Sequence, residues 1–427
     1  MSAARARGWD LGRPPEPHGR KDALCFFVVA LALYALTCPG STAYDQYARF
    51  AQAMLHGSLS LPHRPPHLEM AEYEGRAYFS NPPTPAILLV PFIWLGEHWP
   101  FHERLLKWNG GWEIPLGTIQ TFLSLLLGAT SVALSRVALG RVPVTRRAAN
   151  WGAALFGFGS IYWYHATIGS VWYIAQTAHA MFMWLLISEW LTRARPVLLG
   201  LWLAAAIWCR LETVVAAPFV LIARPDRWLF SRVDEILPRL RLRWLLWFAA
   251  PVVGIVVLNS LYNWVRFGVF GNWAYKMLVE KPEVRGMFPY GLMSWRYWQG
   301  HEFAMFQAKP IYMKTFPWLA PSMGAMAIQY TTPVFIYALR APLDRLTAAC
   351  WIGTVLFLSQ LFQFGSVGMT QLGYRFAMDF YPLLVLLTIR GMDRPIRRWH
   401  EILIAACIIL NAWYVYVLNI LHVERLW

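Results

Sequence analysis

Residues 23–38 read ALCFFVVALALYALTC, and after Pro39 and Gly40 the chain continues STAYDQYARFAQAMLHGSLSL over residues 41–61. An uncharged apolar run that gives way at once to a charged, periodic segment marks a helix leaving a bilayer. The run reads as an uncleaved signal anchor: LTC at 36–38 carries Thr37 where a lipoprotein cleavage box needs a small Gly or Ala. From Thr42 to Leu55 the apolar residues Tyr47, Phe50, Ala51, Met54 and Leu55 recur at i, i+3, i+4, i+7 and i+8. Asp45, Arg49, Gln52 and His56 share another face. That pattern predicts an interfacial amphipathic helix ended by Gly57. Asp45 then has two readings. With Thr42 as N-cap it takes the third helical position and completes a variant capping box, favoured by the helix dipole. Otherwise its carboxylate does chemistry at the membrane surface.

The remainder of the chain fits a membrane setting. It has 427 residues, of which 57% are hydrophobic and 14% charged, a balance too apolar for a soluble protein of this size. The net charge of +15 falls in short basic clusters between apolar runs. This is the positive-inside pattern and not the single basic face that binds nucleic acid. Cys25, Cys38, Cys209, Cys350 and Cys407 have no paired spacing, so neither a disulfide framework nor a zinc site is expected.

Apolar windows fall near 23–38, 114–139, 149–166, 173–191, 197–209, 213–223, 244–265, 323–340, 347–363, 376–390 and 401–421. The expected fold is therefore an all-α polytopic membrane protein with about 11 transmembrane helices. The pair flanking Arg210 is short and reads as two helices meeting at a turn. With the N-terminus cytoplasmic, the clusters RVPVTRR, TRAR, RAPLDR and RGMDRPIRR and the basic loop 224–243 lie inside. The two long loops, 39–113 and 266–322, then fall together on the extracytoplasmic side. The proline-broken stretch 83–96 is placed as a membrane-dipping element of the first loop, because a full crossing there would invert the later basic clusters.

An Asp just after the first span, an amphipathic helix and the turn YFSNPPTPAILLVP (78–91) together resemble the first outer loop of GT-C glycosyltransferases. The resemblance continues in FGFGSIYWYHATIGSVWYIAQTAHAMFMWLL (156–186), WLAAAIWCRLETVVAAPFVLI (202–222), LYNWVRFG (261–268) and GYRFAMDFYPLL (373–384). In their order and alternation with spans these are similar to the bacterial branch related to protein O-mannosyltransferases and lipid A aminoarabinose transferases. The resemblance implies an inverting transfer of a sugar from a polyprenyl-phosphate carrier to an acceptor hydroxyl, outside the cytoplasmic membrane of a bacterium. It also implies that Asp45 takes the acceptor's proton. Many relatives pair two acids at this point, whereas this chain has Tyr44-Asp45-Gln46, so a divalent metal is left open.

A departing polyprenyl phosphate needs cations, and arginine suits it by bidentate geometry. The candidates for the donor phosphate are Arg375 in GYRFAMD and Arg210 in CRLE, each flanked by apolar sequence. Each also has a structural reading, since Asp379 lies four residues from Arg375 and Glu212 lies beside Arg210. Tyr44, Asn81, His179, Tyr374 and Asp379 are expected to line the cavity. A buried, hydrogen-bonded role is the alternative for His179, as for His165. The basic and aromatic residues of the second loop, from Lys276 to Lys314, either cover the site or anchor at the interface. His98 and His102, four apart, have metal spacing, but Pro100 between them argues against a helix. No Walker loop, dinucleotide fingerprint or GxSxG elbow occurs, which leaves nucleotide-driven transport and soluble hydrolase chemistry unsupported. The alternatives to a transferase are a non-enzymatic flippase or transporter of a lipid-linked sugar, or a ligase using a diphosphate-linked donor.

Overall fold

The computed structural model describes residues 19–61, 64–65, 69–98, 116–222, 242–281, 285–393 and 395–422. In chain order the helices that carry the argument begin with α1 (Gly19–Thr37), the short α2 (Gln46–Leu55) and α3 (Thr84–His98), with the hairpin β1 (Ala71–Tyr73) and β2 (Arg76–Tyr78) between the last two. Then come α4 (Leu116–Leu139), α5 (Arg146–Gly157), α6 (Tyr162–Ile168), α7 (Val171–Trp190) and α8 (Pro196–Ile207). After a 3₁₀ turn at Leu211–Ala216 follow α9 (Ala217–Ile222), α10 (Leu242–Phe267), α11 (Trp273–Glu280) and α12 (Trp298–Glu302). The C-terminal part holds α13 (Arg345–Leu361), a 3₁₀ turn at Arg375–Asp379, α14 (Tyr381–Gly391) and α15 (Arg398–Val415).

Among the described residues three helical stretches are long and apolar enough to cross a membrane: Leu116–Leu139, Leu242–Phe267 and Arg398–Ile420. At 1.5 Å per residue the 26 residues of α10 reach about 39 Å, more than the ~30 Å of a hydrocarbon core. Along α10, Leu246, Trp247, Val253, Val256, Val257, Leu261 and Val265 are all exposed. A helix apolar on every side and covered by little protein is stable only in lipid. Its close neighbour is α8, where a Cβ on Gly200 would lie 2.2 Å from the Phe248 carbonyl oxygen. Small residues let membrane helices approach in this way.

Several of the eleven expected windows take shorter or broken forms. The window 149–166 is split into α5 and α6 around Gly159 and Ser160. The window 323–340 contains a four-residue helix and a 3₁₀ stretch, Pro333–Arg340, and is not a regular α-helix; Pro333 has no amide to give an α-helical ladder. The break at Arg210 is present, with a 3₁₀ turn between α8 and α9. Stretch 83–96 forms α3, whose 15 residues reach only about 22 Å.

At one end of the bundle the basic clusters tie helix ends together. Asp22 of α1 accepts bonds from Arg136 at the end of α4 (2.7 Å) and Arg146 at the start of α5 (2.5 Å). Arg195 bonds Glu189 at the end of α7 (2.9 Å), Arg147 pairs with Glu401 at the start of α15, and Arg390 of α14 pairs with Asp344 before α13. Burial alone would raise the Asp344 carboxyl, but Arg390 and the Thr347 amide hold it below the ordinary carboxylate range.

The two long loops meet at the opposite end. Glu74 and Gly75, both at positive φ, turn the β1–β2 hairpin of the first loop. Lys281 of the second loop donates to the Met70 carbonyl (2.9 Å) and to Glu72 (3.1 Å). Phe267 packs against the rings of Tyr73 and Tyr78. Arg266, buried over the Tyr262 ring, donates to the Phe79 carbonyl at 2.7 Å. Its place in LYNWVRFG is therefore to clamp the end of α10 onto the first loop.

Candidate active site

The amphipathic helix starts at Gln46, with Asp45 at its N-cap position. The capping box expected from Thr42 is not formed. Thr42 Oγ1 instead accepts the Tyr44 amide at 3.1 Å, closing a turn before the helix begins. Nor does Asp45 cap by its side chain. The amide of Ala48, third in the helix, donates to Gln120 Oε1 of α4 at 2.9 Å. Gln120 then donates to the carbonyls of Tyr44 (3.0 Å) and Gly169 (2.7 Å). A fully buried glutamine from another helix thus caps α2 and holds the backbone before Asp45. The Asp45 carboxylate is buried and, among the described residues, accepts one bond, from Arg49 Nε at 2.7 Å.

Tyr44 leads from Asp45 to the cation. Its carbonyl accepts the Val171 amide (3.1 Å) and its ring lies 4.8 Å from that of Trp172, which opens α7. The Arg375 guanidinium stands 5.8 Å over Trp172, 5.8 Å over Tyr173 and 5.2 Å over Phe376. Gln176 of α7 donates to the Arg375 carbonyl at 2.9 Å and fixes its backbone. Arg375 is 9% exposed and has no carboxylate partner among the described residues. The alternative i, i+4 pairing with Asp379 does not occur, because residues 375–379 wind as a 3₁₀ turn in which such residues do not face each other.

Asp379 is held by Arg210, whose Nη2 lies 2.9 Å from Asp379 Oδ2 and 2.5 Å from Glu212 Oε1. Arg210 is therefore neutralised by two carboxylates, whereas Arg375 is not. His179 is fully buried on α7, its Nδ1 3.9 Å from Asp379 Oδ1, too far for a hydrogen bond. Asn81 is half-buried in the turn that leads into α3. His165 is fully buried and donates to the Ile161 carbonyl (2.8 Å).

Tyr374 and two residues of the second loop complete the wall. His301 of α12, fully buried, bonds Tyr374 Oη through Nδ1 and the Phe364 carbonyl through Nε2, both at 2.8 Å. A carbonyl only accepts, so Nε2 carries the proton and Tyr374 donates to Nδ1 of the neutral ring. Burial lowers the His301 pKa, against the Phe364 bond, which raises it. Tyr275 of α11 stands among four charges. Burial first, then Glu212 and Glu69, push its phenol up, while Arg210 and Arg375 pull it down.

Gln120, Trp172, His301 and Tyr275 carry these contacts without a local sequence signal. Each acts on a partner far along the chain. Of the two histidines with metal spacing, His98 stacks on Trp94, and His102 lies outside the described residues. Among the described residues no three His, Cys, Asp or Glu side chains gather as a metal-ligating group.

All of this lies away from the basic end. Trp172 lies in the first turn of α7, whose last turn holds Glu189; Arg210 follows α8, which begins beside Arg195; Asp379 precedes α14, whose last turn holds Arg390.

No protein-family model and no curated protein sequence matches the chain. Among solved structures it is similar to ArnT from Cupriavidus metallidurans bound to undecaprenyl phosphate, at 15% identity and a TM-score of 0.48, over 89% of this chain and 61% of that one. It is also similar to the oligosaccharyltransferase AglB from Archaeoglobus fulgidus in complex with an inhibitory peptide and a dolichol-phosphate, at 12% identity and a TM-score of 0.45, over 95% of this chain and 56% of that one. The chain thus spans between half and two thirds of the length of either protein.

Proposed function

We propose that the protein is an integral-membrane glycosyltransferase of the GT-C type, taking a sugar from a polyprenyl-phosphate carrier in a bacterial inner membrane. The observation that carries the reading is Arg375. A buried guanidinium without a carboxylate partner among the described residues, walled by Trp172, Tyr173 and Phe376, is costly unless an anion comes to it. A phosphate fits the bidentate fork, and the aromatic wall suits a carrier whose remainder is hydrocarbon.

In the reaction, the acceptor oxygen attacks the anomeric carbon on the face opposite the phosphate, and the new C–O bond forms as the bond to the phosphate oxygen breaks. The hydroxyl proton passes to the Asp45 carboxylate, the configuration inverts, and the released polyprenyl phosphate keeps its charge against Arg375. Arg210 serves to hold Asp379 and Glu212 in the cavity wall. By the positive-inside rule the ion-paired basic end is cytoplasmic and the site extracytoplasmic.

The test is lipid mass spectrometry of the purified protein. Wild type should retain polyprenyl phosphate or its glycosylated form, Arg375→Ala should lose most of it, and Arg375→Lys should keep part, because an ammonium has the charge without the fork. Equal retention by Arg375→Ala and wild type would overturn the reading.

A further inference from the structure

The second long loop carries a small hairpin that is bolted to the side of a spanning helix. Its strands β3 (Ile311–Tyr312) and β4 (Leu319–Ala320) pair antiparallel, Ile311 with Ala320 and Tyr312 with Leu319. The Trp413 indole N–H donates to the Leu319 carbonyl at 2.8 Å. Trp413 belongs to the apolar stretch Arg398–Ile420, and at 1.5 Å per residue it stands about 10 Å before the end of that stretch. The end in question is the one away from the basic clusters. Arg147 pairs with Glu401 where the stretch begins, and Asn419 where it closes donates to the carbonyl of Thr37, the last residue of α1, at 2.9 Å. The hairpin therefore lies beside the last two turns of a span, the depth at which an interfacial element meets headgroups and the first acyl carbons.

Its side chains divide as that position requires. Ile311 and Met313 turn inward and pack with Ala320 and Val417, while Tyr312 and Lys314 alternate with them and turn outward. Tyr312 is 73% exposed, and Phe316 and Trp318 at the tip are exposed as well. The Phe316 ring lies 5.9 Å from that of Trp413, so the aromatic patch continues onto the helix. Trp318 is held at a φ of 55°, a costly backbone conformation for so bulky a residue. Three exposed aromatic rings on one short hairpin mark an interaction surface, and Tyr and Trp suit a boundary that is apolar on one side and wet on the other. Lys309 and Lys314 flank the patch, both exposed and neither ion-paired among the described residues. From Phe303 to Leu343 the sequence has no acidic residue at all. A protein partner at this depth must displace lipid, whereas a lipid already lies there.

We infer that this hairpin is a binding site for anionic phospholipid, in the leaflet on the side away from the basic clusters. Tyr312, Phe316 and Trp318 seat among the first acyl carbons, and Lys309 and Lys314 take the negatively charged headgroups. The site is independent of the glycosyltransferase reading, because none of its residues borders the cavity of Arg375.

The test places p-benzoylphenylalanine at position 312 of the full chain, where the native ring is exposed and folding is not at stake. The protein is set in nanodiscs of equimolar phosphatidylglycerol and phosphatidylcholine with the same acyl chains, irradiated, and weighed intact. Lipid adducts should form, and phosphatidylglycerol should exceed phosphatidylcholine by about fivefold or more, the enrichment that one lysine gives at an anionic surface. Lys309→Gln/Lys314→Gln should leave the total adduct unchanged and bring the ratio close to one. Lys309→Arg/Lys314→Arg should keep the preference, since charge is what is read, and high salt should reduce it. Absence of lipid adducts, cross-links to a second polypeptide in their place, or equal labelling by the two lipids would overturn the proposal. So would a preference that survives Lys309→Gln/Lys314→Gln or is lost in the arginine pair.

Discussion

Gln120 Oε1 accepts the Ala48 amide at 2.9 Å, across 72 positions of sequence. The first turn of α2 is thereby capped from α4, and the carboxylate of Asp45 is spared that task. Gln120→Leu removes this bond and the two that its amide gives to Tyr44 and Gly169. Each buried group left without a partner costs about 1–3 kcal/mol. The melting temperature of Gln120→Leu should fall clearly below that of wild type, and by more than that of Asp45→Asn. An unchanged melting temperature would show that α2 is held some other way.

Arg210 and Asp379 make the second long-range link, 169 positions apart. Asp379 is fully buried, so losing its cation leaves an uncompensated charge, at about 3–5 kcal/mol for such pairs. Arg210→Met should express poorly or melt early, and Arg210→Met/Asp379→Asn should recover much of the loss. If Arg210→Met instead folds normally and loses only carrier lipid, Arg210 binds the donor directly.

His301 supplies a pH dependence. Its folded pKa lies below the ordinary value of 6.5, so as pH falls below 6.5 the unfolded chain takes up a proton that the folded protein refuses. The unfolded state then binds more protons, and stability drops from about pH 6.5 down through the lowered folded pKa; above 6.5 both states are neutral and His301 contributes no slope. Melting temperatures between pH 5 and pH 8 should show this acid loss in wild type and less of it in His301→Gln. Identical profiles would contradict the neutral, doubly bonded ring.

The membrane class, the Asp following the first helix, the break at Arg210 and the grouping of basic clusters at one end were legible, because each depends on composition or local periodicity. Pairings were not. The spacing of Arg375 and Asp379 implies contact only on an α-helix, and the chain there is a 3₁₀ turn. The spacing of Thr42 and Asp45 implies a capping box only if the helix starts early, and it starts at Gln46. Gln120 and His301 act on backbone and side chains 49 to 76 positions away, which local periodicity cannot register.

The central claim is that Asp45 is the base, and Asp45→Asn tests it most directly. Asparagine keeps the shape and an acceptor for Arg49, and because Arg49 is itself 36% exposed, neutralising the buried carboxylate leaves no uncompensated buried charge; the lost pair costs about 1 kcal/mol. The measurement is the rate at which protein-bound, carrier-linked sugar is converted to free polyprenyl phosphate on addition of acceptor, with the melting temperature taken on the same preparation. The account expects a rate lower by about 10²- to 10⁴-fold at an almost unchanged melting temperature. A folded Asp45→Asn protein that keeps most of the wild-type rate would contradict it.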